Sequence, residues 1–252
     1  MSTRGLTFGA VASAYEAYRP GYPEQLVDEV LAYAGRPVRT ALEIGAGTGK
    51  ATRVFAARGI QVTASDPDAA MLAELRKHVG PTTTTVCAPF EDLPLSPDHD
   101  LVFAAAALHW TAPARRWESV AAMLRPGGVF ASFGGQLHLA DPDVDAAVDA
   151  ARAPYLGDDG VPSPDGTPEE APMQWPGTEL LTSPLFTDVR QSRIERQLSL
   201  AAEDYLGHLS TVSAYLVLPD DVRQAGFAAI AAVLPEQVVL AGDVTLHLAR
   251  WS

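Results

Sequence analysis

Seven residues, Glu43-Ile44-Gly45-Ala46-Gly47-Thr48-Gly49, stand where the apolar run Ala41-Leu42-Glu43-Ile44 gives way to a helical pattern over residues 50–58. Glycines at alternate positions let the backbone take positive φ and let a ligand approach without meeting a Cβ. A strand that turns through such a loop into a helix is a βα unit of a parallel sheet. A dinucleotide loop carries its third glycine one position later, where Lys50 stands, so a pyrophosphate ligand is disfavoured. A phosphate loop is disfavoured too, because Ala51 follows the lysine and Ile44 occupies the first glycine position. Taken alone the loop is also compatible with a plain flexible connection, and its neighbours decide.

From residue 24 to about 135 the alternation continues. Pro23 opens a helix that runs through Ala34 and stops at Gly35. Strands are predicted over residues 60–64, 82–86, 101–105 and 129–133, and helices from Asp66 to about His78 and from Pro113 to about Leu124. Asp66 ends the second strand some 20 residues after the glycine loop. A carboxylate there can accept from both hydroxyls of a ribose, or cap the helix before Pro67, or do both. After the third strand, Phe90-Glu91-Asp92-Leu93-Pro94 offers an acidic side chain and a backbone N–H to an adenine edge. Beyond residue 135 a helix is expected at 141–153. The six prolines and four glycines of residues 154–177 are too dense for regular structure, reading as a lid or a linker. Strands over 185–199 and 237–250, with helices at 201–216 and 219–234 between them, suggest an antiparallel finish to the sheet.

The net charge of −13 repels a phosphate backbone and argues against nucleic acid as partner. The longest uncharged apolar stretch, Leu101 to Ala114, is too short to cross a bilayer, and no signal-peptide core is present, so a soluble cytoplasmic protein is expected. Cys87 is the only cysteine and reads as a small buried strand residue in a reducing compartment. No Cys/His cluster has metal spacing, so no metal is expected.

In this order the motifs resemble the class I S-adenosylmethionine-dependent methyltransferases (methyltransferase type 11), within the branch of trans-aconitate and ubiquinone/menaquinone methyltransferases. Ala41 to Gly49 is similar to the family's glycine-rich motif and Ala64-Ser65-Asp66-Pro67 to its ribose motif. Glu91-Asp92-Leu93-Pro94 is similar to the adenine segment, although Phe90 replaces its alanine and Pro89 its polar residue. Asp100 to Trp110, with its Ala-Leu-His-Trp ending, is similar to the fourth motif, and Leu124-Arg125-Pro126-Gly127-Gly128 to the turn before the fifth strand. Tyr15-Glu16-Ala17-Tyr18-Arg19-Pro20-Gly21-Tyr22-Pro23 is similar to the branch's Tyr-x-x-x-Arg-Pro entry.

The resemblance implies a Rossmann-like α/β fold, a seven-stranded sheet with helices on both faces and an α-helical cap. It also implies S-adenosylmethionine as cofactor and a small-molecule methyl acceptor, an oxygen acceptor first. It divides the chain into a cofactor core over 1–138, an acceptor-binding cap over 139–235 and a closing strand over 236–252. The implied cofactor contacts are Tyr15 and Arg19 at the methionine end, then Glu43, Gly45, Ala46, Gly47 and Gly49 in the loop. Asp66 and Pro67 fall at the ribose, Phe90 and Glu91 at the adenine, and Ala104, Ala105 and Ala106 beside the reactive sulfonium. His109 is the candidate general base, against a structural role for a lone histidine. Tyr155, Trp175, Tyr205, Tyr215 and Phe227 are candidate acceptor walls that read equally as core. An enzyme that retains the cofactor for a cyclisation or rearrangement, and a non-catalytic relative, remain open, as does the choice between monomer and homodimer.

Overall fold

The computed structural model describes residues 8–157, 163–168 and 170–252. A short 3-10 turn (Phe8–Val11) leads into α1 (Ala12–Tyr18) and α2 (Glu24–Ala34), which Gly35 closes at φ 64°. Three βα units follow: β1 (Thr40–Ile44) and α3 (Lys50–Ala56), β2 (Gln61–Asp66) and α4 (Ala69–Leu75), then β3 (Thr83–Cys87) with only a 3-10 turn at Phe90–Asp92. β4 (His99–Ala105), a 3-10 turn at Leu108–Trp110, α5 (Arg116–Met123) and β5 (Leu124–Gly134) complete the parallel part. The seven-stranded sheet has the order β3-β2-β1-β4-β5-β10-β7, in which β10 (Val244–Trp251) runs antiparallel to both β5 and β7 (Phe186–Ile194). The expected fold class is therefore present.

Period-two alternation in buried strands puts one side chain up and the next down, so each sheet face needs its own apolar cover. Ala41, Val62, Leu101, Phe103, Ala131 and Leu246 pack under α2 and α3. Leu42, Ile44, Val102, Ala104 and Phe130 pack on the opposite face against α5 and Leu180. Phe55, Phe103 and Phe133 stack through the first layer with centroids 4.4 and 6.0 Å apart, and Tyr22 meets Phe133 edge-on at 5.0 Å. That last contact seats the N-terminal segment over the carboxyl end of β5.

Each of the two C-terminal strands expected to be continuous is broken in two. β8 (Gln197–Ala201) and β9 (Gln237–Ala241) leave the large sheet and join β6 (His138–Leu139) in a second, antiparallel sheet of order β6-β9-β8. The break is made by Arg196 and the Gly242-Asp243 pair. Arg196 donates from Nε to the Gly242 carbonyl at 2.6 Å and from its amide to Asp243 Oδ1 at 3.1 Å. A Cβ on Gly242 would stand 2.7 Å from Leu137 Cδ2, so a larger residue there would have to displace that side chain. Alternation continues through the bend because both sheets bury apolar side chains, which is why the sequence showed no boundary.

Helices α6 (Pro142–Arg152), α8 (Ala202–Leu209), α9 (Ser213–Leu216) and α10 (Asp220–Ala231) pack with the small sheet around Leu139, Leu209, Ile230, Val238 and Leu240. The long helix expected over 201–216 is interrupted where Thr211 and Val212 turn the chain. Tyr205 and Tyr215 are buried in this apolar cluster, Phe227 stacks on Tyr215 at 5.2 Å, and the Tyr155 ring lies beside Gly226. Tyr205, Tyr215 and Phe227 serve as core of this cluster, and Tyr155 is half-buried beside it. Trp175 packs instead on the large sheet's second face. Part of the lid-or-linker segment, residues 158–162 and 169, lies outside the described residues. Its described remainder is tied back by Asp165, which accepts from Thr178 Oγ1 on α7 (Gly177–Thr182) at 2.5 Å.

Candidate functional site

β1, β2 and β4 end side by side, and their carboxyl ends carry the expected residues. Gly45, Gly47 and Gly49 take φ of 67°, 55° and 86°. Ala46 fixes the loop by donating its N–H to the Ser65 carbonyl at 2.8 Å and burying its methyl against Leu72 and Leu75. Asp66 holds the same loop from β2. Its Oδ2 accepts the Gly47 N–H at 2.9 Å and its Oδ1 the Asp68 N–H at 2.8 Å. Asp66 is thus no helix cap; Asp68 caps α4 by accepting from Ala70 and Met71. The reason is position: Asp66 is still a strand residue, buried and facing the loop, two residues short of the helix.

Glu43 lies beneath the loop with 1 % of its surface exposed. Its Oε2 accepts from Thr52 Oγ1 of α3 at 2.5 Å, while Oε1 is buried with no partner among the described residues. Burial pushes its carboxyl up to about 8 despite the Thr52 bond, with the nearby Asp66 adding to the rise. A buried carboxylate oxygen without a donor is costly until a donor or cation arrives. The ammonium of a sulfonium amino acid meets that need, and a loop stripped of Cβ atoms admits the nucleoside beside it. The residues present fit S-adenosylmethionine.

Helix α1 is clamped across this loop. Glu16 takes Arg53 Nη1 at 2.8 Å on its side chain and Lys50 Nζ at 2.7 Å on its carbonyl. Burial, which would raise the Glu16 carboxyl, is outweighed by the Thr48 hydroxyl, Arg53 and Lys50, so it stays below the usual range. One turn on, Arg19 lies 5.3 Å from the Tyr15 ring centroid. The Tyr22 phenol is raised by burial first and then by Tyr15 and Glu43, with Arg19 and Arg196 opposing, which puts all of these groups in one neighbourhood. Phe8 closes the other side, edge-on to Tyr15 at 5.9 Å and to Trp110 at 6.3 Å.

At the end of β4, Ala104 is core, Ala105 is half-buried, and Ala106 is exposed at φ 51° with its N–H on the Phe133 carbonyl at 2.8 Å. A left-handed alanine costs about 1–2 kcal/mol. It is held there by the packed β4–β5 pair, with Gly134 leaving the room, just past the carboxyl end of β4. His109 follows on the 3-10 turn, 4.6 Å ring to ring from Trp110, and makes no hydrogen bond among the described residues. Burial, with the Arg116 guanidinium adding to it, pushes its imidazole down to about 4.

The adenine segment is held in place at both of its expected residues. Glu91 is exposed and its Oε1 accepts the Ala112 N–H at 2.6 Å, tying the adenine segment to the turn after His109. The Phe90 ring is buried in the sheet's second face. Pro67 follows the carboxyl end of β2, where its carbonyl accepts from Cys87 Sγ at 3.7 Å. Cys87 itself is exposed, not buried, because β3 is the sheet's edge strand. Thr52, Tyr22 and Thr211 were not singled out in the sequence. Tyr22 carried a signal in the Arg-Pro-x-Tyr-Pro run, whereas Thr211 carried none.

His208 and His247 are 5 % and 3 % exposed, and burial pushes them down to about 3 and about 4. A histidine with a depressed folded pKa binds its proton first in the unfolded chain. Stability is therefore unaffected above pH 6.5 and is lost as pH falls from there toward 4. Glu43 works in the opposite sense between pH 8 and 4.5. We expect His247→Gln to flatten the stability curve between pH 6.5 and 4.5 by about 1.4 kcal/mol per pH unit, one proton's worth. Urea midpoints of variant and parent that run parallel over that range would show that His247 titrates normally.

A family model described as a methyltransferase domain matches residues 42–132. An uncharacterized methyltransferase of Mycobacterium tuberculosis (strain H37Rv) is 44 % identical over 124 residues, which is 49 % of this chain and 49 % of that protein. A malonyl-[acyl-carrier protein] O-methyltransferase of Enterobacter lignolyticus is 34 % identical over 131 residues, covering 48 % and 52 %. The chain thus spans about half the length of these curated relatives. A solved chain from Anaeromyxobacter dehalogenans, described as a candidate type II methyltransferase, superposes with a TM-score of 0.60 at 29 % identity, covering 93 % of this chain and 97 % of that one.

Proposed function

We propose that this chain is a class I S-adenosylmethionine-dependent methyltransferase, a reading supported by its methyltransferase-domain match and its likeness to a solved methyltransferase-like chain, and that it methylates a small organic molecule on oxygen, a carboxylate first. The observation that carries the acceptor class is His109. It is the titratable side chain on the turn after β4, and burial leaves it neutral and weakly basic near pH 7. A site of that kind serves an acceptor that is already nucleophilic. A carboxylate needs no proton removed, and a protonated amine or an ordinary alcohol does. The similarity to an O-methyltransferase acting on a malonyl group points the same way.

When bound, the cofactor supplies an electrophilic methyl carbon on a sulfonium, so the protein has no covalent relay to provide. Glu43 would take the ammonium, Arg19 and Tyr15 the carboxylate, and Asp66 the ribose hydroxyls. The Ala104–Ala106 strand end would leave room beside the reactive sulfur, while Phe8 and Trp110 exclude water. His109 would accept a proton where the acceptor is an acidic hydroxyl. The region 139–235 is read as the acceptor side. These roles supply alignment, which is the main catalytic term open to such a site. No helix among the described residues is long and apolar enough to cross a membrane.

Calorimetric titration with S-adenosylmethionine, S-adenosylhomocysteine and NAD tests the first half. Micromolar binding of both sulfur nucleosides without NAD binding is expected, and binding of neither would refute the site. A panel of carboxylic acids then tests the second. Methyl esters release methanol at alkaline pH, so a base-stable methylated product would exclude carboxylate transfer.

A further inference from the structure

We propose that Thr211, in the cap, is a positioning residue that aims Arg19 at the carboxylate of the cofactor's amino-acid end. This rests on the reading that Arg19 holds that carboxylate. Arg19 leaves the end of α1, and its guanidinium is spoken for on one side only. Nε donates to Thr211 Oγ1 at 2.8 Å and Nη2 donates to the Thr211 carbonyl at 3.0 Å. Two bonds to one residue fix both the plane and the rotation of a planar fork. Nη1 is left without a hydrogen-bond partner among the described residues.

Thr211 is built to hold still. It is fully buried, its hydroxyl donates to the His208 carbonyl at 2.7 Å, and its own N–H reaches the same carbonyl at 3.0 Å. The threonine hydroxyl is therefore a donor toward α8 and an acceptor toward Arg19 at once. One turn before Arg19, α1 is fixed to the glycine-loop helix through Glu16, Lys50 and Arg53. Arg19 is thus held in one pose between loop and cap, although 192 residues separate it from Thr211. An arginine ordered in the free protein loses less freedom on meeting a carboxylate, and that gain appears as affinity. The cap consequently contributes to cofactor binding as well as to the acceptor side.

The test compares two ligands that share the nucleoside, S-adenosylhomocysteine and methylthioadenosine, which lacks the amino-acid end. Titration calorimetry is run on the full chain, with thermal melts as a fold check. Thr211→Val should weaken S-adenosylhomocysteine about tenfold, as expected for one lost charge-assisted hydrogen bond. It should leave methylthioadenosine within about twofold. Thr211→Ser should restore parental affinity, and Thr211→Val on Arg19→Ala should add no further loss. Thr211→Ala replaces the valine variant if that chain does not fold. Parental affinity for S-adenosylhomocysteine in Thr211→Val, with a clear loss in Arg19→Ala, would overturn the positioning role and leave the cofactor reading standing. Equal losses for both ligands would also overturn it, by showing a merely structural residue. Parental affinity in Arg19→Ala would bring down the reading of Arg19 and the proposal together.

Discussion

Gly45→Ala should cost about 3 kcal/mol of stability and abolish measurable binding of S-adenosylhomocysteine. Two terms add. Gly45 sits at φ 67°, where a non-glycine residue pays about 1–2 kcal/mol. Its new Cβ would also stand 2.5 Å from the Ala107 Cβ, a contact that forces the backbone apart at an overpacking cost of about 1–3 kcal/mol. Ala107 belongs to the segment between Ala106 and the His109 turn, so relief of the clash moves the β4 wall of the crevice away from the glycine loop. Gly59→Ala separates the two terms, since Gly59 has a similar φ of 78° and nothing within 4 Å. That variant should lose only the conformational part and keep cofactor affinity. Urea melts and calorimetry on both variants decide the matter; equal losses in the two would mean that the approach of Ala107 to the loop is not tight.

Asp66→Ala should weaken both S-adenosylhomocysteine and methylthioadenosine by about a hundredfold. The carboxylate already carries two backbone N–H bonds, from Gly47 and Asp68, and keeps lone pairs for a ribose. Its removal takes away the charge-assisted ribose contacts and releases Gly47 from its place in the loop. Hydrogen bonds to charged groups are worth about 1.5–3 kcal/mol each, so loss of one or two gives a change of that order. Both ligands contain the ribose, hence the equal effect, in contrast to the Arg19 variants, which should distinguish them. Unchanged affinity of Asp66→Ala for methylthioadenosine would remove Asp66 from the nucleoside site.

Local signals carried much of this fold. The βα alternation, the glycine loop and Asp66 at the end of β2 were legible because each depends on a few neighbouring residues: a period of two or 3.6, a missing Cβ, a carboxylate at a strand end. The cradle around Glu43 was half legible. Its position on β1 was plain, but its partner Thr52, and an Oε1 with no partner among the described residues, follow from α3 crossing over β1.

Residues adjacent in the chain set the parallel core and the place of the cofactor loop within it, since strand, turn and helix there depend only on near neighbours. The tertiary structure alone decided the rest. It bent two alternating runs into a second sheet at Arg196 and Gly242, tied Glu91 to Ala112, exposed Cys87 on an edge strand and buried His247. It also brought Thr211 to Arg19. The physical reason is common to all of these: burial and hydrogen-bond partners are fixed by packing between segments far apart in the chain, and a local period is the same whichever partner the buried face meets.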